Sequence, residues 1–166
     1  MTILGARESG AEQIFAIDTI PERLEMAAKF GAIPVDPAHI VAREVIREAT
    51  EGRGADAVME AVGSHGAVRL ALELVRPGGI ISSVGVCTDA HLAFSPVEAY
   101  DKNITYKIGR CPARFMMEKL IPLVQKKKYA ITSVFSHKMK LSEGVHGYDI
   151  FANKKDHCLK ILLQPD

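Results

Sequence analysis

An α/β chain built on a parallel sheet is what this sequence predicts, and three features predict it. From the start to about Arg110, short β-branched runs alternate with longer stretches of helical period, the pattern of strands joined by crossover helices. Hydrophobic residues make up 48% of the 166, enough for one sizeable core. After Cys111 the texture changes to two helical stretches and a final apolar run, too sparse in apolar surface for a core of its own. We therefore expect two parts: a sheet domain over residues 1–110 and a C-terminal segment over 111–166 that packs on another body.

Met1 to Ser9 reads as the end of a helix stopped at Gly10, and Gln13 to Asp18 (QIFAID) as a buried strand. Pro21 opens a helix over Glu22 to Phe30, with Gly31 at its end, and Ala32 to Val35 makes a short strand. A second amphipathic helix spans Ile40 to Thr50, Glu51 to Gly54 turn, and Asp56 to Ala61 is the third strand. Ser64 caps a helix running through Val75. Arg76-Pro77-Gly78-Gly79 makes a tight turn into the strand Ile80 to Val86, and Asn103 to Gly109 is one strand more. In the tail, Ala113 to Lys128 forms a helix kinked at Pro122, Ser142 caps a helix to Asn153, and His157 to Leu163 is a terminal strand.

Twenty-one basic and twenty acidic residues leave no broad field for a nucleic acid or an anionic membrane, so neither is expected as a partner. The run Lys126 to Lys128 falls where a helix ends, and cations there complement its dipole. Cys87, Cys111 and Cys158 are odd in number and widely spaced, which fits neither a disulfide framework nor a CxxC zinc site. Met1 to Ala6 is too short for a signal or spanning segment, and a cytoplasmic, reducing location is expected. The six histidines show no ligand spacing such as HExxH, and neither a GxSxG elbow nor a Walker loop is present.

Two sets of residues could carry a nucleotide. Asp18 ends the first strand, where a carboxylate can accept both hydroxyls of an adenosine ribose, although acidic residues also serve there simply as turn formers. Thr19 is uncharged and no arginine follows directly to pair with a 2′-phosphate, which favours NAD over NADP. Arg23, one helical turn on, can support the ribose or stand as an ordinary surface arginine. Val62-Gly63-Ser64 and Val84-Gly85-Val86 place glycines at strand ends, where a backbone can approach a ligand or where glycine merely punctuates.

Three segments settle the order of these features: TILGARESGAEQIFAIDTIPERLEMAAKFGA, GADAVMEAVGSHGAVRLALELVRPGGIISSVGV and KLSEGVHGYDIFANKKDHCLKILLQP. In this order they resemble the zinc-containing medium-chain alcohol dehydrogenases, over nearly the whole chain, and NITYKIGRCPARF is similar to a variant in bacterial and fungal alcohol or formaldehyde dehydrogenase-like members. The resemblance implies a Rossmann domain, a doubly wound parallel sheet, entered after its first strand and GxGxxG turn. It implies that Asp18 binds the adenosine ribose of NAD with Arg23 in support. Val62, Gly63, Val84, Gly85 and Val86 would lie along the nicotinamide half, and Ile108, Gly109 and Arg110 would close over the carboxamide. Where relatives place a basic residue on the pyrophosphate, Leu159 and Lys160 stand here. The ligands of the catalytic zinc, the four-cysteine zinc lobe and the proton relay belong to the N-terminal half, so no catalytic residue or metal ligand is assigned within this chain.

The first strand is central in the doubly wound order, and its loss would leave the second and third strands apart from the fourth to sixth. Unpaired edges invite self-association. The expected function is the NAD-binding portion of an enzyme that moves a hydride between a small alcohol or aldehyde and NAD, inactive alone. An alternative is a non-catalytic oligomerisation partner that pairs with dehydrogenase subunits, or with itself, through the strand at 103–109, as related enzymes do. A methyltransferase-like α/β domain is a third reading, opposed by the absence of a final antiparallel hairpin.

Overall fold

A computed structural model describes residues 1–166, and its strands pair as three separate parallel sheets. Helix α1 (Thr2–Glu8) leads to β1 (Phe15–Ile17), α2 (Pro21–Lys29) and β2 (Ile33–Val35), and β1 pairs with β2. Next come α3 (Ala42–Ala49), β3 (Ala55–Glu60), α4 (His65–Leu74), β4 (Val75–Ser83), α5 (Pro96–Asp101) and β5 (Thr105–Ile108), with the sheet order β3-β4-β5. The tail holds α6 (Ala113–Gln125), β6 (His137–Lys140), α7 (Gly144–Ala152) and β7 (Ile161–Gln164), with β6 beside β7.

The expected separation of strands is found: β1 and β3 belong to different sheets, and the edge each turns away from its partner is unpaired. Helices join the two sheets instead. Val35 from β2, Ala42 and Ile46 from α3 and Leu74 from α4 form one buried cluster, with Phe15 and Ile17 of β1 and Ala55 and Val58 of β3 packed against it. The larger core lies under the second sheet, where Val68, Ala71 and Leu72 of α4 meet Val75 and Ile81 of β4. Phe94 completes it, edge-on to Tyr106 at 5.3 Å between ring centres. Each fully buried aliphatic side chain here contributes about 1.5–3 kcal/mol. No helix is long and apolar enough to cross a membrane.

The Ser64 cap forms as expected, its hydroxyl accepting the Ala67 amide at 3.2 Å. Three expectations need correction. Residues 76–79 do not make a separate turn: β4 runs through them, and the four residues between Val75 and Ile80 stand opposite the single residue between Ala55 and Ala57 of β3, a bulge that absorbs Pro77 and both glycines. Ser142 does not cap α7. Its hydroxyl binds Asp166 at 2.7 Å, and a 3₁₀ turn, Leu141–Glu143, precedes the helix instead. The terminal strand begins at Ile161 and not at His157, because Asp156 and His157 are both left-handed, and it pairs with β6, a strand that no apolar run announces.

Helix α5 is short and lies outside the expected elements, although Ser95-Pro96-Val97-Glu98 is a capping box. The Ser95 hydroxyl accepts the Glu98 amide and the Glu98 carboxylate accepts the Ser95 amide. Arg69 of α4 pairs with the same carboxylate, tying α4 to α5. The Ser95 amide and then Arg69 hold the Glu98 carboxyl down at about 2, from an ordinary 4.5. A depressed carboxyl stabilises the fold above its unfolded pKa and loses that contribution as pH falls towards its folded one. Glu98→Gln should therefore lower the unfolding midpoint at neutral pH, with the difference from the parent shrinking as pH drops below about 4.5 towards 2. Denaturant titrations at several pH values measure this, and a difference independent of pH would contradict it.

Candidate functional site

Asp18 follows β1 directly. Its amide reaches the Val35 carbonyl at 3.4 Å, one carboxylate oxygen accepts the Ile20 amide at 3.0 Å, and the other faces the Arg23 guanidinium at 3.5 Å. The local sequence dictates this arrangement. An aspartate two residues before an amide closes a turn on its own backbone, and Pro21 then starts α2 with its φ already helical. Asp18 and Arg23 are thus brought together, and Thr19 beside them is exposed.

At the ends of β3 and β4 two loops interlock. Gly63 has φ +84°, and a Cβ there would come within 3.0 Å of the Val86 backbone. A Cβ on Gly85 would meet the backbone of Val62 and Gly63 as closely. Only glycine at both positions lets the two main chains touch. Glu60, the last residue of β3 and only 4% exposed, sits behind the contact. Its carboxylate accepts the Val62 amide at 2.6 Å, the Gly63 amide at 2.7 Å and the Ser83 hydroxyl at 2.6 Å. Its backbone carbonyl accepts the Val84 amide at 2.8 Å and the Gly85 amide at 3.2 Å. Burial pushes the carboxyl up, but the Ser83 hydroxyl and the two loop amides outweigh it and hold the group below the usual carboxylate range.

Outside this junction the apolar side chains stand free. Val62 is 73% exposed and Val86 82%, with Val84 and Ile108 more than half exposed. Ile108 is in register with Ser83, so the row continues across β5. Gly109 and Arg110 extend past the strand end, and Arg110 makes neither an ion pair nor a hydrogen bond. Lys160 lies near the start of α1. Burial and then its charge lower the pKa of the Met1 amino group. The Leu159 amide is taken up by the Ser136 hydroxyl at 2.9 Å.

Glu60 is the residue that sequence reasoning missed. It closes the third strand, and a carboxylate there followed three residues later by a glycine is a legible signal. No group of three or more His, Cys, Asp or Glu side chains is gathered to hold a metal, and all three cysteines are free.

A carboxylate after one strand and glycine loops at the carboxyl ends of others define a doubly wound, nucleotide-binding class of α/β domain. The sequence profile described as zinc-binding dehydrogenase matches residues 1–126, and the chain belongs to that family. It is 37% identical over 153 residues to zinc-type alcohol dehydrogenase B of Aspergillus flavus, covering 90% of this chain and 35% of that one. It is 34% identical over 157 residues to a probable zinc-binding alcohol dehydrogenase of Mycobacterium tuberculosis, covering 95% and 40%. Among solved structures it superposes on the alcohol dehydrogenase of Thermus sp. ATN1 with a TM-score of 0.90 at 36% identity, over 99% of this chain and 47% of that one. The chain spans less than half the length of these relatives and corresponds to their C-terminal, NAD-binding half.

The interlocked loops make a direct prediction. Gly63→Ala should destabilise the chain by about 1–3 kcal/mol, because it adds a left-handed penalty to a backbone clash. Gly85→Ala should do likewise through the clash alone. Chemical denaturation measures both, and unchanged midpoints would mean that the loops do not touch.

Proposed function

We propose that this chain is the NAD-binding portion of a zinc-dependent alcohol or aldehyde dehydrogenase and that it does not oxidise alcohols alone. The observation that carries the reading is the pair of glycine loops locked together by Glu60, with a row of uncovered valines at the strand ends. Such a surface offers a flat apolar wall and a close backbone approach, which suits one face of a nicotinamide ring. In this reading Asp18 accepts the adenosine ribose hydroxyls and Arg23 steadies its carboxylate. Val62, Gly63, Val84, Gly85 and Val86 line the nicotinamide half, and Ile108, Gly109 and Arg110 border the carboxamide. The uncharged Thr19 next to Asp18 favours NAD, since a 2′-phosphate would meet the carboxylate without a cation directly following it.

Bound NAD supplies the hydride acceptor, and the contribution of this chain is to hold it in one orientation. Residues 1–110 form the cofactor portion, and residues 111–166 return to the catalytic part of the enzyme. The exposed apolar side chains of α6, Phe115, Met117, Leu120, Ile121 and Val124, support that return. In this reading, stabilisation of an alkoxide by zinc and relay of the alcohol proton fall to the N-terminal half of the enzyme. A reducing, cytoplasmic setting is consistent with the three free thiols.

A second reading is favoured by one observation: β5 is an edge strand whose outer side is unpaired. Pairing there, with another copy or with a dehydrogenase subunit, would make the chain a non-catalytic oligomerisation partner. One experiment separates the readings. The purified chain, given zinc, NAD and a panel of primary and secondary alcohols, should produce no NADH above background. Mixed with the separately expressed N-terminal half of a close relative, it should yield zinc-dependent turnover. Turnover by the chain alone would overturn the proposal. Stable association with full-length subunits and no turnover on mixing would establish the second reading in its place.

A further inference from the structure

We propose that Glu60 is a positioning residue for the nicotinamide half of the dinucleotide: its carboxylate fixes the Val62-Gly63 loop and, through it, the Val84–Val86 loop, without touching the cofactor. The proposal rests on the cofactor reading given above. Ending a strand does not in itself call for a carboxylate. An apolar side chain would bury more cheaply, and no cation pairs with this one. What Glu60 has instead is three neutral donors, two from the loop after its own strand and one from the neighbouring strand. Hydrogen bonds to an ionised acceptor are roughly twice as strong as neutral ones, so this buried charge is a stiff anchor for a loop that glycine would otherwise leave pliable.

The geometry shows what the anchor transmits. The side chain grips Ser83 at the end of β4, and the Glu60 carbonyl grips the two residues that follow it, Val84 and Gly85. Gly63 then lies against the Val86 backbone with no room for a side chain between them. Val62 therefore takes its place from the carboxylate directly, and Val84 and Val86 feel it through the Ser83 bond and the Gly63 contact, added to the backbone bonds that any residue at position 60 would make. Asp18, with its own turn and its own arginine, shares none of these bonds. Loss of Glu60 should disturb one half of the dinucleotide and spare the other.

The test measures dissociation constants for NAD and for AMP on the 166-residue chain and on three variants, Glu60→Ala, Glu60→Gln and Ser83→Ala. Glu60→Ala should weaken NAD about tenfold or more and leave AMP within about twofold, the pattern of a lost charged anchor. Glu60→Gln should lose about threefold, because its amide oxygen keeps both loop amides without the charge. Amide exchange at Val62 and Gly63 should quicken in Glu60→Ala while that of Ile81 stays slow. Ser83→Ala and the isosteric Gln carry the same comparison should Glu60→Ala fail to fold. Equal loss of NAD and AMP would reduce Glu60 to a structural residue, and faster loop exchange with unchanged NAD affinity would take the loop off the cofactor. Either result overturns the proposal alone. A parent chain that binds neither NAD nor AMP would overturn the cofactor reading itself, and the proposal with it.

Discussion

Two main chains meet at the carboxyl end of the larger sheet, at Gly63 and Gly85, with less space between them than one methyl group requires. That contact brings the loop after β3 against the loop after β4, and it forces Val62, Val84 and Val86 outward, where they stand exposed. A close contact between flexible residues does not hold itself. The Glu60 carboxylate, taking three hydrogen bonds behind it, supplies the fixed point. The cost of burying that charge is offset only because all three donors are aimed at it. The apolar row is thus as rigid as the polar group beneath it.

The two sheets of the N-terminal portion share no strand pairing, yet α3 and α4 bring them onto one apolar cluster. Side-chain packing of this kind resists separation but does not set register, which ladder hydrogen bonds between neighbouring strands would do. The position of Asp18 relative to the valine row consequently depends on few contacts: Val35, Ile46 and Leu74 at the centre, with Phe15 and Ile17 resting on them. The tail adds little to this. Its side-chain ties to the body are surface contacts, Lys128 and Tyr129 with Glu8, Ser133 with Met26 and His157 with Glu22, and exposed contacts of this kind contribute little.

Much of this was legible in the residues. The alternation of apolar runs and helical periods placed β1, β2, β3 and β5 within a few residues, and the second half of β4, since burial on both sides of a parallel sheet writes itself as continuous β-branched runs. Asp18 and the glycine loops stand out by their positions at strand ends, and the family resemblance implies their roles. What escaped had physical reasons. The bulge in β4 looks like a turn because Pro77, Gly78 and Gly79 are turn residues wherever they occur, and it belongs to a strand only because Val75 before it and Ile80 after it both pair with β3. Strand β6 is Lys-rich and half exposed, so it carries no apolar signal, and its existence depends on β7, which follows more than twenty residues later. Glu60 was hidden because its role is set by Ser83, a residue on another strand, and spacing along one segment cannot show that pairing.

The central claim is that one dinucleotide lies across the strand ends, from Asp18 to the valine row. Backbone amide chemical-shift mapping of the chain during titration with NAD tests it most directly. The account predicts perturbations confined to residues around Asp18 to Ile20, Val62 to Ser64, Val84 to Val86 and Ile108 to Arg110, with the tail strands β6 and β7 unaffected. Saturable shifts centred elsewhere, or none at these four segments at NAD concentrations that shift others, would contradict it.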